Sequence, residues 1–171
     1  MRINFVKDGY GTEIVQIDDA KIKFPNFAGD AMRYNHAGDR NFVVKIEDQE
    51  IADALIDAGY NVSIKTNPNE GEPPYMNLKV KVKFNPGYER NGPFIYIVSR
   101  GKKTRLFPGV GEDDPLRDLD KIRIDYADMD IAPNYWRDDM TGEQRVTAYL
   151  RSICVYQAIT DRFADEEYPT E

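Results

Sequence analysis

Residues 77–84 read NLKVKVKF, a strict alternation of polar and apolar side chains with a period of two. Successive side chains of a β-strand point to opposite faces, so the pattern places Lys79, Lys81 and Lys83 on one face and hydrocarbon side chains on the other. The segment therefore predicts a strand with one buried face and one cationic face. A row of like charges suits either a solvated edge strand that resists aggregation or a surface that binds a polyanion.

Most other segments also predict strands, because β-branched and aromatic residues alternate in them with polar ones. These further strands are expected at 13–27, 41–46, 61–66, 94–98 and 121–131. The clearest helix is 47–60, which Asp48 can cap and Gly59 can end. The basic segment SRGKKT at 99–104 predicts a hairpin turn.

The segment 142–160 is open to two interpretations. Thr141 and Gln144 can form a capping box ahead of a helical apolar stripe, whereas the stretches VTAY and ICVY are typical of strands. We favour a strand.

With one helix among many strands, a parallel α/β sheet is excluded, because it needs helices between most of its strands. The chain is thus expected to be mainly β, an OB-like antiparallel five-stranded barrel with one short helix and an acidic C-terminal tail.

Charge is segregated along the sequence. Between Lys79 and Arg105 there are eight Lys or Arg residues and one acid, a local charge of +7, while the whole chain carries −7. The rest of the chain therefore carries −14, and its last eleven residues hold five acids against Arg162. We expect a single OB-like nucleic-acid-binding domain over 1–160 and an acidic, flexible tail over 161–171.

The basic region also contains aromatic residues, and this combination suits single-stranded nucleic acid. Lys and Arg neutralise phosphates, and unpaired bases stack on aromatic rings at about 1–3 kcal/mol each. A duplex hides its bases and would gain less from such rings. The predicted nucleic-acid-binding residues are Tyr75, Lys79, Lys81, Lys83, Tyr96, Arg100, Lys102, Lys103 and Arg105. Trp136 is either a core residue or a further exposed stacking ring.

Composition argues against several other classes of protein. A single Cys and a single His leave neither an intramolecular disulfide nor a Cys/His zinc site. The charged N-terminal segment does not resemble a signal peptide, and no apolar run approaches the roughly 18 residues of a membrane span. We therefore expect a cytoplasmic protein with no cofactor, no bound metal and no membrane partner.

Two alternative functions remain. A cluster of acids could hold catalytic metal ions in a nuclease, although it lacks the spacing of a calcium loop, and solvated acids explain it more simply. The acids are Asp125, Asp128, Asp130, Asp138 and Asp139. The other alternative is a protein–protein interaction module that captures a charged surface. No combination of residues indicates catalysis, so a protein that is not an enzyme is expected.

Several segments between residues 13 and 157 resemble single-stranded DNA-binding proteins of bacteriophages. These segments are KIKFPNFAG, RNFVVKIED, EIADALIDAGYNVSIKT, YMNLKVKVKF and NYW…VTAYLRSICVY. The resemblance implies an OB-fold that coats single-stranded DNA in phage replication or recombination, in the host cytoplasm. It also implies that the basic residues named above line the groove, that Tyr75 and Tyr96 stack on bases, and that the acidic tail contacts replication or recombination proteins. A homo-oligomer remains open.

Overall fold

The computed structural model describes residues 1–65, 71 and 74–158, and within these ranges the chain is mainly β. Its strands are β1 (Arg2–Lys7), β2 (Glu13–Asn26), β3 (Arg40–Ile46), β4 (Val62–Lys65), β5 (Tyr75–Val82), β6 (Phe94–Ser99), β7 (Lys102–Leu106), β8 (Ile124–Arg137) and β9 (Gln144–Gln157). One α-helix, α1 (Gln49–Asp57), follows β3. Short 3-10 turns lie at Glu89–Asn91, Gly111–Asp113 and Pro115–Asp120. The predicted tail, 161–171, lies outside the described residues.

Five of the strands form a closed barrel in the order β5-β3-β2-β8-β9, with β9 returning to β5. Each neighbouring pair in this order is antiparallel, but the closing pair is parallel and joins Val80 to Ala148 and Lys81 to Tyr149. The expectation of an entirely antiparallel barrel was therefore wrong. The reason is arithmetic: when an odd number of strands alternate in direction, the first and last run the same way. β1, β4, β6 and β7 extend the sheet beyond the barrel.

Two irregularities bend the long strand β2 around the barrel. Its register shifts between Ile17 and Ala20 against β8 and between Lys23 and Asn26 against β3. Asp19 and Phe24 have positive φ angles of 56° and 49°. Bulges of this kind increase local twist and allow one strand to curve from one neighbour to the next. The second bulge leaves the Phe24 side chain exposed.

Inward-facing side chains from all five barrel strands fill a single core. Phe27 and Phe42 stack there with ring centroids 5.2 Å apart. The strand expected at 41–46 is confirmed as β3, and its Phe42, Val44 and Ile46 are fully buried. The strand predicted at 121–131 begins only at Ile124, and a bulge then places Tyr126 on the outer face, where its ring stacks on Tyr156.

The predicted helix and hairpin turn are both present. Asp48 caps α1 by accepting a hydrogen bond from the Glu50 amide at 2.9 Å, and Gly59 follows the helix with φ at 96°. The favoured strand in the open segment 142–160 is confirmed as β9. Arg100 and Gly101 connect β6 to β7, both with positive φ, as two-residue hairpins require. Among the described residues no helix is long and apolar enough to cross a membrane.

A buried ion pair ties the start of β3 to the segment that follows β7. The Arg40 guanidinium lies 2.6 Å from the Asp114 carboxylate, and the two side chains are only 15% and 2% exposed. The same carboxylate accepts hydrogen bonds from the amides of Gly109 and Leu116, each at 3.0 Å. Asp114 thus organises the turn and also neutralises a cation that has little access to water.

We expect Asp114→Ala to lower the free energy of unfolding by about 3–5 kcal/mol, because it leaves the Arg40 charge buried without a partner. Asp113→Ala is the matched control. Asp113 is exposed, so its loss is expected to change stability by less than about 0.5 kcal/mol. Urea unfolding measures both values, and equal midpoints for the two variants would contradict this role of the ion pair.

Candidate nucleic-acid interface

The lysines of β5 lie on the outer face of the barrel, as the alternation predicts. Lys79 and Lys81 are exposed, while Leu78, Val80 and Val82 between and beyond them are at most 4% exposed. Lys83, just past the end of β5, is exposed as well. Within the part of the chain that the structure describes, no salt bridge engages any of these lysines. Their ammonium groups are therefore available to an anionic ligand.

Two lysines that the sequence analysis did not select extend this face. Strand register aligns Lys23 of β2 with Val43 and Lys79, and aligns Lys45 of β3 with Asn77. The ammonium groups of Lys23 and Lys45 lie 4.2 and 5.1 Å from the centre of the Tyr75 ring. Tyr75 thus stands on the predicted face, but lysines already contact its ring. The strand alternation could have indicated both lysines as outward-facing.

The loop between β2 and β3 forms one wall beside Lys79. Phe24 and Tyr34 are 68% and 85% exposed, and together with Arg33, Asn41 and Lys79 they line a depression of about 340 Å³. The wall therefore presents two exposed aromatic rings, with Lys23 5.9 Å from the Phe24 ring centre and Arg33 5.3 Å from the Tyr34 ring centre. Neither ring was selected from the sequence, because Tyr34 lies in a loop and the bulge that exposes Phe24 in β2 is not visible in the alternation.

Hydrogen bonds hold this loop in place. The Asn26 side-chain nitrogen donates a hydrogen bond to the Asp30 carbonyl at 3.0 Å, and the Asn26 side-chain oxygen accepts one from the Asp30 amide at 2.9 Å. The Asp30 carboxylate in turn accepts a hydrogen bond from Arg117 at 2.8 Å, which lowers the pKa of Asp30 and keeps it ionised at neutral pH. The aromatic wall is thus anchored to the 3-10 turn that contains Arg117.

The β8–β9 hairpin forms the opposite wall. The Trp136 ring is 45% exposed, and its Nε1 donates a hydrogen bond to Thr147 Oγ1 at 2.9 Å. Trp136 lines a cavity of about 150 Å³ together with Lys79, Lys81 and Arg145. Of the two interpretations that the sequence left open, the structure selects the surface ring and excludes the core position.

A turn at the tip of this hairpin orients Arg145. The Asp138 carboxylate accepts hydrogen bonds from the Met140 amide at 2.9 Å and from Arg145 Nε at 3.0 Å. The Met140 amide and then the Arg145 guanidinium lower the pKa of Asp138. Asp138 is therefore ionised at neutral pH and holds a cation beside Trp136.

A larger cavity of about 580 Å³ lies at the far end of the lysine row. Lys81, Lys83, Phe84, Tyr149 and Val110 line it together with residues of the adjoining loops. Val110 stands at the rim with 89% of its surface exposed. Lys79 borders all three hollows, so the hollows together form one groove. β5 is the floor of this groove, and the β2–β3 loop and the β8–β9 hairpin are its walls.

The other predicted residues lie outside these hollows, on the β6–β7 hairpin. The Lys103 ammonium group is 4.5 Å from the Tyr96 ring centre. The Arg105 guanidinium lies 4.6 Å from the Phe94 ring and also donates to a backbone carbonyl, whereas Arg100 and Lys102 are exposed at the turn. The predicted set thus forms two groups, one on β5 and one on the hairpin.

Two of the five acids proposed as a metal site form hydrogen bonds within the fold. Asp138 caps its turn, and Asp128 accepts a hydrogen bond from the Asp19 amide at 3.0 Å. In the described ranges no three His, Cys, Asp or Glu side chains are arranged to hold a metal ion.

A barrel with a cationic groove between exposed rings is the arrangement found in proteins that bind single-stranded nucleic acid. The family model described as a putative phage ssDNA-binding domain matches residues 7–169, and the chain belongs to this family. The resemblance inferred from the sequence is therefore confirmed. The family is defined by DNA binding and not by a catalytic activity, in agreement with the expectation that the protein is not an enzyme.

Solved structures of phage proteins are similar to this chain. The single-stranded DNA-binding protein of bacteriophage Enc34, truncated at its C-terminus, is 12% identical with a TM-score of 0.51, covering 92% of this chain and 96% of that one. The Enc34 protein in complex with ssDNA is 10% identical, with a TM-score of 0.48 and coverages of 92% and 96%. For gp2.5 of bacteriophage T7 the values are 13%, 0.44, 91% and 94%. No curated protein sequence matches the chain.

The Asp138 turn gives a prediction that pH can test. Because the folded-state pKa of Asp138 is lowered, the stabilising hydrogen bonds are present at neutral pH and are lost as the pH falls through that pKa. We expect a carboxyl-carbon NMR titration of Asp138 to have its midpoint below 3.8, the ordinary value. Arg145→Ala should raise the midpoint only part of the way to 3.8, since the Met140 amide remains. A wild-type midpoint at or above 3.8 would contradict the observed turn.

Proposed function

We propose that this protein binds single-stranded DNA in the groove on β5, without reading its sequence. The observation that carries the proposal is the row of unpaired lysines between exposed aromatic rings, in a chain whose net charge is −7. An acidic protein has ample carboxylates to neutralise its lysines. A row that stays unpaired among the described residues suits an external polyanion.

The proposed barrel type is OB-like, and the position of the groove supports this. In OB-folds the second and third barrel strands form the binding face, between the loop joining strands one and two and the loop joining strands four and five. Counting only barrel strands, β3 and β5 are second and third. The loop with Tyr34 then joins strands one and two, and the hairpin with Trp136 joins strands four and five. The hollows observed around Lys79 lie between these two loops.

In the proposed mechanism, the lysines and the aromatic rings contact different parts of the nucleic acid. Lys79, Lys81 and Lys83 contact phosphates, which carry no sequence information. Trp136 and Tyr34 stack on bases, and every base offers a ring face, so the binding tolerates any sequence. A duplex keeps its bases stacked inside and gains little from such rings. Tyr75 remains a predicted contact, although lysines already approach its ring.

Membership of a family of phage ssDNA-binding domains supports a proposal for the biological role. We infer that the protein coats single-stranded DNA during phage replication or recombination. Docking of replication or recombination proteins to the acidic segment 161–171 remains a prediction that lies outside the described residues.

Neutralising two groove lysines is the first test. We expect Lys79→Gln/Lys81→Gln to weaken binding of a fluorescent dT oligomer at least about tenfold, and to reduce the slope of log K against log salt by about 1.4, which is about 0.7 per lost phosphate contact. The matched control, Lys7→Gln/Lys121→Gln, makes the same change in net charge at two exposed lysines outside the groove. Anisotropy at several salt concentrations measures both variants. Equal effects in the two variants would refute the groove.

Trp136 provides a direct spectroscopic test, because it is the only tryptophan of the chain. If bases stack on its ring, dT oligomers should quench the intrinsic fluorescence saturably. Trp136→Ala should weaken binding by about 1–3 kcal/mol, roughly 5- to 150-fold. Tyr10→Ala, at a ring that is 96% exposed on the β1–β2 turn, is expected to leave the affinity unchanged. Saturable binding without quenching would exclude stacking on Trp136.

A further inference from the structure

β5 and β6 lie end to end along the same side of β9. β5 pairs with β9 at Ala148 and Tyr149, and β6 pairs with β9 from Ser152 to Tyr156. Both pairings are parallel, so β6 continues in the direction in which β5 ends. The corresponding outward positions are Lys81 beside Tyr149 and Tyr96 beside Cys154. Five residues of β9 separate these positions, which is about 16 Å of strand.

The β6–β7 hairpin prolongs the lysine row with further cations. Strand register places Lys103 opposite Val98 and Arg105 opposite Tyr96, on the same outward face as the β5 lysines. Lys102 and Arg100 follow at the exposed turn. No salt bridge in the described part of the chain engages any of these four cations. The cationic surface therefore continues beyond the groove.

Arg105 fixes the base of the hairpin next to the end of the groove. Its guanidinium lies 4.6 Å from the ring centre of Phe94 and 4.4 Å from that of Phe107. It also donates a hydrogen bond of 2.6 Å to the Arg90 carbonyl. The residues that follow β7, including Val110, line the 580 Å³ cavity together with Lys83. The hairpin is thus anchored at the point where a strand leaving the groove would meet it.

The rings of the hairpin differ from those of the groove. Lys103 covers Tyr96, and Arg105 covers Phe94, which is 37% exposed. In the groove, Tyr75 is also covered by lysines, but Tyr34 is 85% exposed with Arg33 farther away, 5.3 Å from its ring centre, and Trp136 is 45% exposed. A ring already in contact with a cation offers less face to a base, whereas the cation itself remains able to bind phosphate. The hairpin therefore suits the backbone of the nucleic acid rather than its bases.

We propose that the β6–β7 hairpin is a second segment of the DNA path, which binds the sugar–phosphate backbone of the strand as it leaves the groove. Lys102 and Lys103 make its main contacts, and Arg100 adds to them at the turn. This proposal rests on the proposed function of the groove. It implies that short oligomers fill the groove alone and that only longer ones reach the hairpin.

The test compares oligomer lengths. OB-type barrels occupy about 4–16 nucleotides, so dT oligomers from about 6 to about 30 nucleotides cover both situations. The hairpin variant is Lys102→Glu/Lys103→Glu, and the matched control is Lys7→Glu/Lys121→Glu, with the same change in net charge. We expect both variants to bind the shortest oligomer equally. On the longest, the hairpin variant should bind at least about tenfold more weakly, with a salt slope smaller by about 1.4.

A second arm tests whether the hairpin contacts backbone or bases. A short dT oligomer extended with abasic deoxyribose phosphates should bind the wild-type protein more tightly than the unextended oligomer, and the hairpin variant should lose this gain. Arg100→Gly/Lys102→Gln serves as a further variant that protects the fold, since glycine suits the positive φ of 52° at position 100. It should show the same dependence on length, with unchanged thermal unfolding.

Two results would overturn the hairpin proposal while leaving the groove intact. One is that the hairpin variant and the control bind with equal affinity at every oligomer length. The hairpin would then not contact DNA, and its cations would suit another kind of partner. The other is an equal loss at every length, which would place the hairpin inside the groove site. Failure of the wild-type protein to bind any dT oligomer, or insensitivity to Lys79→Gln/Lys81→Gln, would instead refute the proposed function itself.

Discussion

The whole proposed binding surface depends on the parallel contact between β5 and β9. This contact closes the barrel and brings the lysine strand beside Thr147 and Tyr149 of β9, and through them beside Trp136 on β8. If β5 and β9 did not pair, Lys79 would lie on an open sheet. Trp136 would then no longer lie beside the lysines of β5. Closure also leaves β9 free, beyond Tyr149, to accept β6 on the same side. The groove and the hairpin thus use successive stretches of the same edge of β9.

The cationic side chains of the protein lie in two distinct environments. Arg40 is nearly buried, and Asp114 neutralises it at 2.6 Å, as a charge with little access to water requires. The lysines of β5 remain in water, where their mutual repulsion is weak and salt screens it over about 8 Å at physiological ionic strength. The buried pair stabilises the fold, whereas the exposed row adds no stability of its own. In the proposed function the row favours binding, because lysines that contact phosphates release the cations condensed on the nucleic acid.

Local features of the fold were predictable from the sequence, and features that join distant segments were not. The alternation at 77–84 assigns the face of Lys79 because side-chain direction depends only on the strand itself, and Asp48 marks the start of α1 because capping is equally local. The parallel closure joins strands far apart in sequence, so no local pattern signals it. Lys23 lies in a predicted strand, yet its place beside Lys79 depends on register across β3. Trp136 remained open because exposure depends on which neighbours pack against a ring.

The closing pair also determines when the surface can exist. β5 lies near the middle of the sequence, whereas its partner β9 is the last strand in the described part. On a ribosome the lysine strand therefore emerges well before the strand that completes the groove. During that interval a nascent chain carries the positive charges without the tryptophan wall opposite them. The groove on β5 therefore cannot form before β9 has been made and has paired with β5.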